Sequence, residues 1–419
     1  SDSKSNIHDT KQKEIVELFM NFLHDEYEFD DEENEKDAPK ARQKLLISHL
    51  QVLTKFNNPK CVSRTNELKK IYLDFLLHRN FQVQKLALDC IVQYKDEHIV
   101  SYKETLYNVL NEKTFRQELV ALKLNEKIRE DHRDGFIKVL LPILYSKMTI
   151  KASKKDQEGF KNKKEIVTRF MSNLKESELT QLIDIAVSEI STVATSSTMI
   201  DDAKNSEIVI KVNELQSMLQ FLDLIKKNVA GLFSVDFQRK ILDNILATSC
   251  FTVTSDTAMY KNLKQACLAS LVYFFEHFDE FEWNEKELDV VFEVFVWNHL
   301  PEFHQHSSQN ISGLMKLFVE WSKNPKYYNF LAKTDASGNY ALKSIIALLS
   351  NKQATTPVLE CVMDVLERLL TLKTEDEVIE DMNYGTKLVE PFIHDVLMKL
   401  KETLSTGSKA KPLNQRNLL

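Results

Sequence analysis

Apolar residues recur at intervals of three and four along most of the chain from residue 41 onward. The segment 66–78, NELKKIYLDFLLH, shows this pattern without interruption. Its apolar side chains stand at i, i+3, i+4, i+7 and i+8, and they are Leu68, Ile71, Tyr72, Phe75 and Leu76. Such spacing puts them on one face of an α-helix. Because no segment alternates convincingly between apolar and polar residues, the pattern predicts an all-α protein.

The content of turn-forming residues supports long helices. The 419 residues include only 7 glycines and 8 prolines, whereas a sheet-rich chain with many tight turns needs more of both. Hydrophobic residues make up 43% of the chain, which is enough for an extensive core. Asn58 followed by Pro59 predicts a turn between the helix at 41–56 and the helix at 66–78.

One helical stretch has counterparts further along the chain. QVQKLALDCIVQYK, residues 82–95, can be laid over NLKQACLASLVYFF, residues 262–275, with Cys267 on Ala87, Leu268 on Leu88 and Leu271 on Ile91. VLECVMDVLERLL, residues 358–370, is a weaker echo. A small residue that recurs between large ones lets neighbouring helices approach closely. This pattern is typical of helix-pair repeats, and it predicts a HEAT/armadillo-like helical-repeat solenoid, an α-α superhelix.

The two ends of the chain differ from this repeat region. Residues 25–37, DEYEFDDEENEKD, form an acidic run with little to bury, which predicts an acidic, largely disordered linker over 1–40. An acidic segment that attracts a basic partner is the alternative. We expect HEAT-like repeats over 41–404 and a flexible tail over 405–419. Because the chain begins at Ser1 without a methionine, we also expect an internal fragment of a much longer protein.

Composition restricts the compartment and the partners. The chain has no apolar run of about twenty residues and no signal peptide, so we expect no membrane partner and an intracellular location. Five cysteines lie far apart, mostly on apolar helical faces and without a C-x-x-C pair, which predicts buried free thiols in a reducing compartment and no metal. The net charge is −7, with a pI near 6.0, so any contact with RNA must be local.

Two short motifs contain residue types that occur in catalytic or metal-binding sites. HRDG, residues 132–135, resembles the catalytic loop of protein kinases, in which an Asn five residues after the Asp binds magnesium. Val139 occupies that position, and glycine-rich and D-F-G motifs are missing from the sequence. HQH, residues 304–306, has only Glu302 beside it as a further metal ligand. We interpret the first as a polar helix start and the second as a loop, and we predict no enzyme activity, no cofactor and no small-molecule substrate.

The aromatic cluster LVYFFEHFDEFEW, residues 271–283, has two interpretations. Exposed aromatic side chains can stack on the bases of single-stranded RNA. However, Tyr273, Phe274, Phe275 and Phe278 follow helical spacing, and basic residues are missing from the cluster. We therefore predict that these side chains, like those of Trp297 and Trp321, belong to the core.

A lysine-rich segment is the best candidate for contact with RNA. We predict a loop over 149–164, where KASKKDQEGFKNKK interrupts the helical pattern. Its lysines are candidate phosphate contacts, because lysine binds phosphate as a mobile point charge. They are Lys151, Lys154, Lys155, Lys161, Lys163 and Lys164. A solvated loop without a ligand is the alternative interpretation.

Several stretches resemble one known family. They are ARQKLLISHLQVLTKFNNPK, LLHRNFQVQKLALDCIVQYKDEHIVSYKETLYNVL, FRQEL and HRDGFIKVLLPILYSKM, with looser likeness in VWNHL and LFVEWSKNPKYYNFLAK. In this order they resemble the central region of the large HEAT-repeat protein of the small-subunit processome, the "down-regulated in metastasis" family, a component of the U3 small nucleolar ribonucleoprotein. Ser146 departs from the family, in which a glycine more often follows the tyrosine.

The resemblance implies a non-catalytic scaffold in the nucleus and nucleolus. Such a protein would take part in pre-rRNA processing and small ribosomal subunit biogenesis. Its partners would be processome proteins, pre-rRNA and U3 small nucleolar RNA, bound directly or through the particle. The alternative is another helical-repeat adaptor, such as a transport receptor or a phosphatase scaffold.

Overall fold

A computed structural model describes residues 2–24, 38–56, 58–149, 157–207, 210–373 and 383–405. Within these ranges the regular secondary structure is helical, without a β-strand. The prediction of an all-α helical-repeat protein of the solenoid class is confirmed. The helices group into two compact units, Ser1–Ala186 and Val187–Leu419.

The first unit contains the helices that carry the sequence motifs around the lysine-rich segment. They are α1 (Asp2–His24), α2 (Ala38–Leu53), α3 (Thr65–Phe75), α4 (Phe81–Gln93), α5 (Glu97–Val100), α6 (Lys103–Leu110), α7 (Phe115–Ala121), α8 (Leu124–Lys127), α9 (Glu130–Thr149), α10 (Gln157–Met171) and α11 (Glu176–Ala186). Helices near in sequence pack together: α4 lies against α2, α3 and α6, and α9 lies against α10 and α11.

The second unit continues the same plan. Its helices are α12 (Ser191–Thr195), α13 (Met199–Lys204), α14 (Val212–Asn228), α15 (Val235–Cys250), α16 (Ala258–His277), α17 (Glu285–Val291), α18 (Phe303–His306), α19 (Gly313–Lys323), α20 (Tyr328–Ala332), α21 (Ala341–Ala347), α22 (Thr356–Thr371), α23 (Tyr384–Val389) and α24 (Ile393–Ser405). Helix α16 packs against α14, α15 and α19, and α19 packs against α22. A π-helical turn, Phe292–Val296, prolongs α17.

Local sequence sets where helix α4 begins and ends. The Asn80 side chain precedes it and accepts hydrogen bonds from the backbone N–H groups of Gln82, at 2.7 Å, and Val83, at 3.3 Å. This cap satisfies donors that have no partner within the helix. At the other end Lys95 takes a positive φ of 53°, which turns the backbone out of the helix.

The small residues of the proposed repeats are buried, as close packing of helices requires. Ala87 on α4 and Cys267 on α16 are both completely buried. The neighbouring pair Leu88 and Leu268 is buried as well. The aligned residues of the two stretches are therefore buried alike, and each pair of equivalent side chains faces the interior of its own unit.

Several polar contacts between helices join residues that lie 45 or 46 positions apart in the sequence. The Lys175 ammonium donates to Glu130, 45 residues earlier, at 2.5 Å. In the second unit the Thr355 hydroxyl donates to the carbonyl of Gln309, 46 residues earlier. Arg368 likewise reaches a residue 46 positions before it. HEAT and armadillo repeats have periods of about 40–47 residues, so these bonds join equivalent levels of successive repeats.

The prediction of a largely disordered linker over 1–40 is wrong for the part that forms α1. Its apolar residues Val16 and Phe19 are completely buried. The Phe19 ring lies 5.8 Å from the ring of His49 on α2 and 6.4 Å from that of Phe75 on α3. Three-residue spacing gives this polar segment one apolar face, and that face is sufficient to dock it. The acidic run 25–37, like residues 406–419 of the predicted tail, lies outside the described residues.

Candidate nucleic-acid interface

The loop in the lysine-rich segment is shorter than the loop that the sequence predicted. Helix α10 begins at Gln157, so residues 157–164 of the predicted loop 149–164 are helical. The helix is anchored further on, where Val167, Phe170 and Met171 are buried. Since Asn, Lys and Glu do not break a helix that is anchored downstream, it extends back through the lysines. The predicted residues Lys151, Lys154 and Lys155 lie outside the described residues.

Lys163 is engaged in an ion pair within the protein. Its ammonium contacts the carboxylate of Glu112, which also accepts a hydrogen bond from Lys147 at 2.6 Å. Partial burial of Glu112 would raise its pKa, but the hydrogen bonds from the two lysines hold it below its ordinary value. Lys147 itself is buried and donates to the carbonyl of Leu110 at 2.6 Å. A phosphate would have to compete with this carboxylate for Lys163.

The other two described lysines of the segment differ in exposure. Lys164 is half-buried, and burial lowers the pKa of its ammonium. Lys161 is exposed. Within the described part of the chain no carboxylate pairs with Lys161, so it is the lysine of α10 that is most available to a phosphate.

The HRDG residues maintain the packing of the first unit. The Arg133 guanidinium is buried and forms two hydrogen bonds with the carboxylate of Glu178 on α11, at 2.5 and 2.9 Å. His132 is buried and its Nδ1 lies 3.3 Å from the Tyr102 hydroxyl. Asp134 is exposed and accepts a hydrogen bond from Lys138 one turn later, at 2.6 Å. The prediction that this motif starts a helix is confirmed, because α9 begins at Glu130.

Arg133 was missed as an important residue by the sequence reasoning. Its guanidinium also donates to the Asn125 side chain at 2.5 Å and to the Asn173 carbonyl at 3.3 Å. It therefore connects α8, α9 and the turn before α11. A buried arginine with a bidentate carboxylate partner is strongly ordered. The partner Glu178 lies 45 residues away, about one repeat, but many other charged residues are separated by similar distances in the sequence, so the pairing could not be recognised from it.

The second unit contains a comparable buried cation. The Lys226 side chain on α14 is completely buried and donates to Asp223 at 2.6 Å and to the carbonyl of Ser270 on α16 at 2.9 Å. Burial lowers the pKa of Lys226, whereas Asp223 opposes that shift. The ammonium also lies 4.8 Å from the centre of the Tyr273 ring. One face of the Tyr273 ring, which belongs to the aromatic cluster, is therefore occupied by the Lys226 ammonium.

The phenylalanines of the aromatic cluster are part of the core, as predicted, whereas Tyr273 is only half-buried. Phe274, Phe275 and Phe278 are buried. The Phe275 ring stacks on Trp283 with centroids 4.1 Å apart, and it makes a T-shaped contact with Trp321 with centroids 5.8 Å apart. Such pairs stabilise a core beyond the area that they bury. These rings are therefore not presented to bases, although Trp297 is only half-buried.

The histidines of the HQH motif lie on the short helix α18, where a loop was predicted. His306 approaches the carboxylate of Glu302 at 4.0 Å, and both side chains are exposed. Among the described residues no group of three His, Cys, Asp or Glu side chains is arranged to hold a metal ion. Nor does any helix in the described ranges combine the length and apolar character that crossing a membrane requires.

The five cysteines are free thiols, as predicted, but they differ in exposure. Cys90, Cys250 and Cys267 are buried, and Cys361 is half-buried. Burial raises the pKa of the Cys250 thiol to about 12. Cys61, which was also expected to be buried, is exposed and accepts a hydrogen bond from the Asn58 amide.

Fold and site define an all-α helical-repeat protein in which buried charged residues join neighbouring repeats. A family model described as U3 small nucleolar RNA-associated protein 20, N-terminal, matches residues 40–419. The chain therefore belongs to the family of U3 small nucleolar RNA-associated protein 20. That description assigns the matched region to the N-terminal part of the protein, whereas the resemblance stated above was to a central region.

Two yeast relatives support this assignment. The U3 small nucleolar RNA-associated protein 20 of Schizosaccharomyces pombe is 24% identical over 349 residues, which cover 78% of this chain and 14% of the relative. The protein with the same name from Saccharomyces cerevisiae is 25% identical over 334 residues, which cover 76% of this chain and 13% of the relative. The chain thus spans about one seventh of the length of each relative.

Proposed function

We propose that this chain is part of a non-catalytic nucleolar scaffold of the small-subunit processome, needed for pre-rRNA processing and small ribosomal subunit biogenesis. The observation that carries the proposal is the family match over residues 40–419, together with relatives that are named for association with U3 small nucleolar RNA. Repeats over 41–404 would supply the binding surfaces, with 405–419 as a flexible tail. Helical repeats suit this role because they offer much binding surface for their length.

The engagement of the motif residues supports a role without catalysis. Arg133 and His132 are buried in packing contacts, and Asp134 pairs with a lysine on its own helix. A general base must reach the proton that it removes in a plausible substrate pose. The buried and paired side chains of His132, Arg133 and Asp134 instead point to a role in stabilising the fold. We therefore expect binding of processome proteins, pre-rRNA and U3 RNA to be the whole activity.

Purification of the full-length protein with its bound RNA tests the proposal. A scaffold of the processome should bring down U3 RNA and pre-rRNA, and cells that contain only the Asp134→Asn variant should process pre-rRNA normally. A transport receptor or a phosphatase scaffold would bring down a different cargo. Loss of processing in Asp134→Asn cells, at normal protein abundance and normal assembly, would contradict the non-catalytic role.

We further propose that the lysine-rich segment contacts RNA phosphate. Each phosphate neutralised contributes about −0.7 to −0.9 to the slope of log K against log salt. If about three of the six lysines engage, changing all six to Gln should flatten that slope by roughly 2 to 3. Lys163→Gln alone should change the slope least among the described lysines, because Glu112 already pairs with this ammonium. Lys161→Gln should change it most.

The control for this measurement is Lys343→Gln, which alters an exposed lysine of the second unit. It should leave the slope as it is, and circular dichroism should give the same helix content for every variant. If the variant with six glutamines keeps the original slope, the segment is a solvated insertion that does not contact RNA.

A further inference from the structure

The first unit contains an open groove beside helix α10, lined in part by Asn125 and Asn173, the polar partners of Arg133. It lies between the end of α7, the following segment 122–126 and helix α10, and its volume is about 1110 Å³. Pockets for small molecules are usually about 300–1,000 Å³ and enclose most of their ligand. A groove of this size with exposed walls fits a segment of a macromolecule better than a small molecule.

The floor of the groove is apolar. Leu122, Leu124 and Phe170 are nearly completely buried beneath it. Val120 projects from α7 with 69% of its surface exposed, which makes it one of the most exposed large apolar residues in the described chain. Scattered apolar residues on a surface need no explanation. Here, however, the exposed valine adjoins a depression with an apolar floor, which is a feature of interaction sites.

The rim of the groove carries a positive charge on a chain that is negative overall. Arg116, Lys123 and Arg169 line it, together with one carboxylate, that of Glu126. Lys123 pairs with Glu126 at 3.2 Å, and Arg169 pairs with Glu165 at 2.6 Å. These side chains are exposed, and exposed pairs of this kind are weak and exchange easily. Within the described residues the Arg116 guanidinium has no hydrogen-bond or ion-pair partner.

We propose that this groove binds an acidic amphipathic helix of a partner protein. The apolar face of the helix would cover Val120 and the floor, and its carboxylates would meet Arg116, Lys123 and Arg169. The other common modes of peptide recognition lack their requirements here. Addition of a β-strand needs a sheet edge, and the described residues contain no strand. Polyproline binding needs exposed aromatic rings, whereas Phe170 is buried.

RNA fits the groove less well than a helix does. Binding to single-stranded RNA relies on aromatic side chains that stack on bases, combined with a continuous basic track. The groove offers an apolar floor with three cations at its rim. The inference rests on the proposed scaffold function in one respect only, which is that the helix would belong to another protein of the particle. Binding of a helix by the purified chain is a separate measurement.

Selection from a displayed library tests the proposal without knowledge of the natural partner. The library consists of helical peptides of about 18 residues, with Leu and Phe fixed along one face. Glu, Lys and Gln vary at the remaining positions. The wild-type chain should enrich peptides rich in Glu, and the Val120→Asp variant should not. The affinity of the most enriched peptide is then measured by fluorescence anisotropy.

Matched variants connect the affinity to the groove. Val120→Asp should weaken binding at least about tenfold, since an aliphatic contact is lost and a like charge is added. Arg116→Glu should weaken it about fivefold or more, with less effect at high salt. Leu232→Asp changes a residue of the second unit with 74% of its surface exposed and should have no effect. Lys343→Glu is the corresponding control for charge.

The outcomes separate this inference from the proposed function. Absence of enrichment, enrichment of Lys-rich peptides, or enrichment that survives Val120→Asp would overturn the groove proposal. So would an oligouridine RNA that binds in an Arg116-dependent manner and displaces the peptide. None of these results bears on whether the full-length protein brings down U3 RNA and pre-rRNA. Conversely, a full-length protein without those RNAs would refute the scaffold function even if the groove binds acidic helices.

Discussion

Substitution of Arg133 by methionine should cost the first unit more stability than any change to an exposed ion pair. The Arg133 and Glu178 side chains are only 4% and 7% exposed, and two hydrogen bonds of 2.5 and 2.9 Å join them. Methionine has a similar length but no donor. It would leave the Glu178 carboxylate buried, with the backbone N–H of Lys175, at 2.8 Å, as its remaining described partner.

The magnitude follows from the charge that is left behind. Removing one partner of a buried ion pair costs about 3 to 5 kcal/mol, because the other charge stays in a poorly solvated site. Arg133→Met combined with Glu178→Met removes both charges, so it should cost far less than the sum of the two single changes. It should still cost about 1 kcal/mol or more, since Lys175 loses the acceptor that caps its N–H group.

The neighbouring pair of Lys138 and Asp134 provides the control. Its atoms lie 2.6 Å apart, one turn apart on the same helix α9, but both side chains are more than half exposed. Exposed pairs of this spacing contribute about 0.3 to 0.5 kcal/mol. Lys138→Met should therefore have a small effect, although it removes a bond as short as those of Arg133.

Hydrogen exchange is the suitable assay, since a chain of two units need not unfold in one step. Arg133→Met should accelerate exchange of the protected amides of α9 and α11 by about 100-fold, if opening costs about 3 kcal/mol less. Amides of α22 in the second unit serve as the reference. An effect of Arg133→Met no larger than that of Lys138→Met would refute the reasoning, and so would a double variant that is as unstable as the two single effects combined.

Two further changes test packing and burial. Gly135→Ala should destabilise the first unit by about 1 to 3 kcal/mol in chemical denaturation, because the new Cβ would lie 2.0 Å from the His98 ring. The control is Gly231→Ala, whose Cβ would meet no atom within 4 Å and which should not destabilise the protein. Burial raises the pKa of Asp243 to about 6, so its stabilising protonated form is lost as pH rises through that value. Asp243→Asn should therefore stabilise the second unit by about 1 to 2 kcal/mol at pH 7.5 and by less at pH 5. The control is Asp236→Asn, which changes an exposed carboxylate and should give no such gain. Equal gains from Asp243→Asn at both pH values, or a similar gain from Asp236→Asn, would contradict this reasoning.

Helix positions and core faces follow from local sequence, and these were predicted well. Residues such as Leu68 and Tyr72 occupy one face of α3 by spacing alone, and both are buried. Ala87 and Cys267 were matched by sequence across 180 positions, and both lie at completely buried sites. Period and residue size are properties of a short window of sequence, so a single chain is sufficient to reveal them.

Pairings between helices could not be predicted in the same way. Arg133 and Glu178 lie 45 residues apart, about one repeat, but they are two charged residues among many, and this separation alone does not single out the pair. The same holds for Lys163, which was grouped with its neighbours as a candidate RNA contact although its partner Glu112 lies on another segment. The polar composition of the N-terminal segment also led to the wrong prediction of a disordered linker where α1 forms. The apolar face of α1, which includes Phe19, is narrow within this polar segment. Contacts of this kind depend on the stacking of helices.

The contacts between repeats also have a consequence for how binding surfaces are distributed. Lys175 reaches Glu130 and Thr355 reaches Gln309, in each case about one repeat earlier. When each repeat contacts mainly its neighbours, stability is approximately a sum of local terms. A residue such as Val120, which projects from the end of a helix, can then change without disturbing the distant contacts. The proposed RNA contact at Lys161 and the groove beside Val120 both use helix α10, so the two sites share one local part of the chain and depend on the same helix for folding.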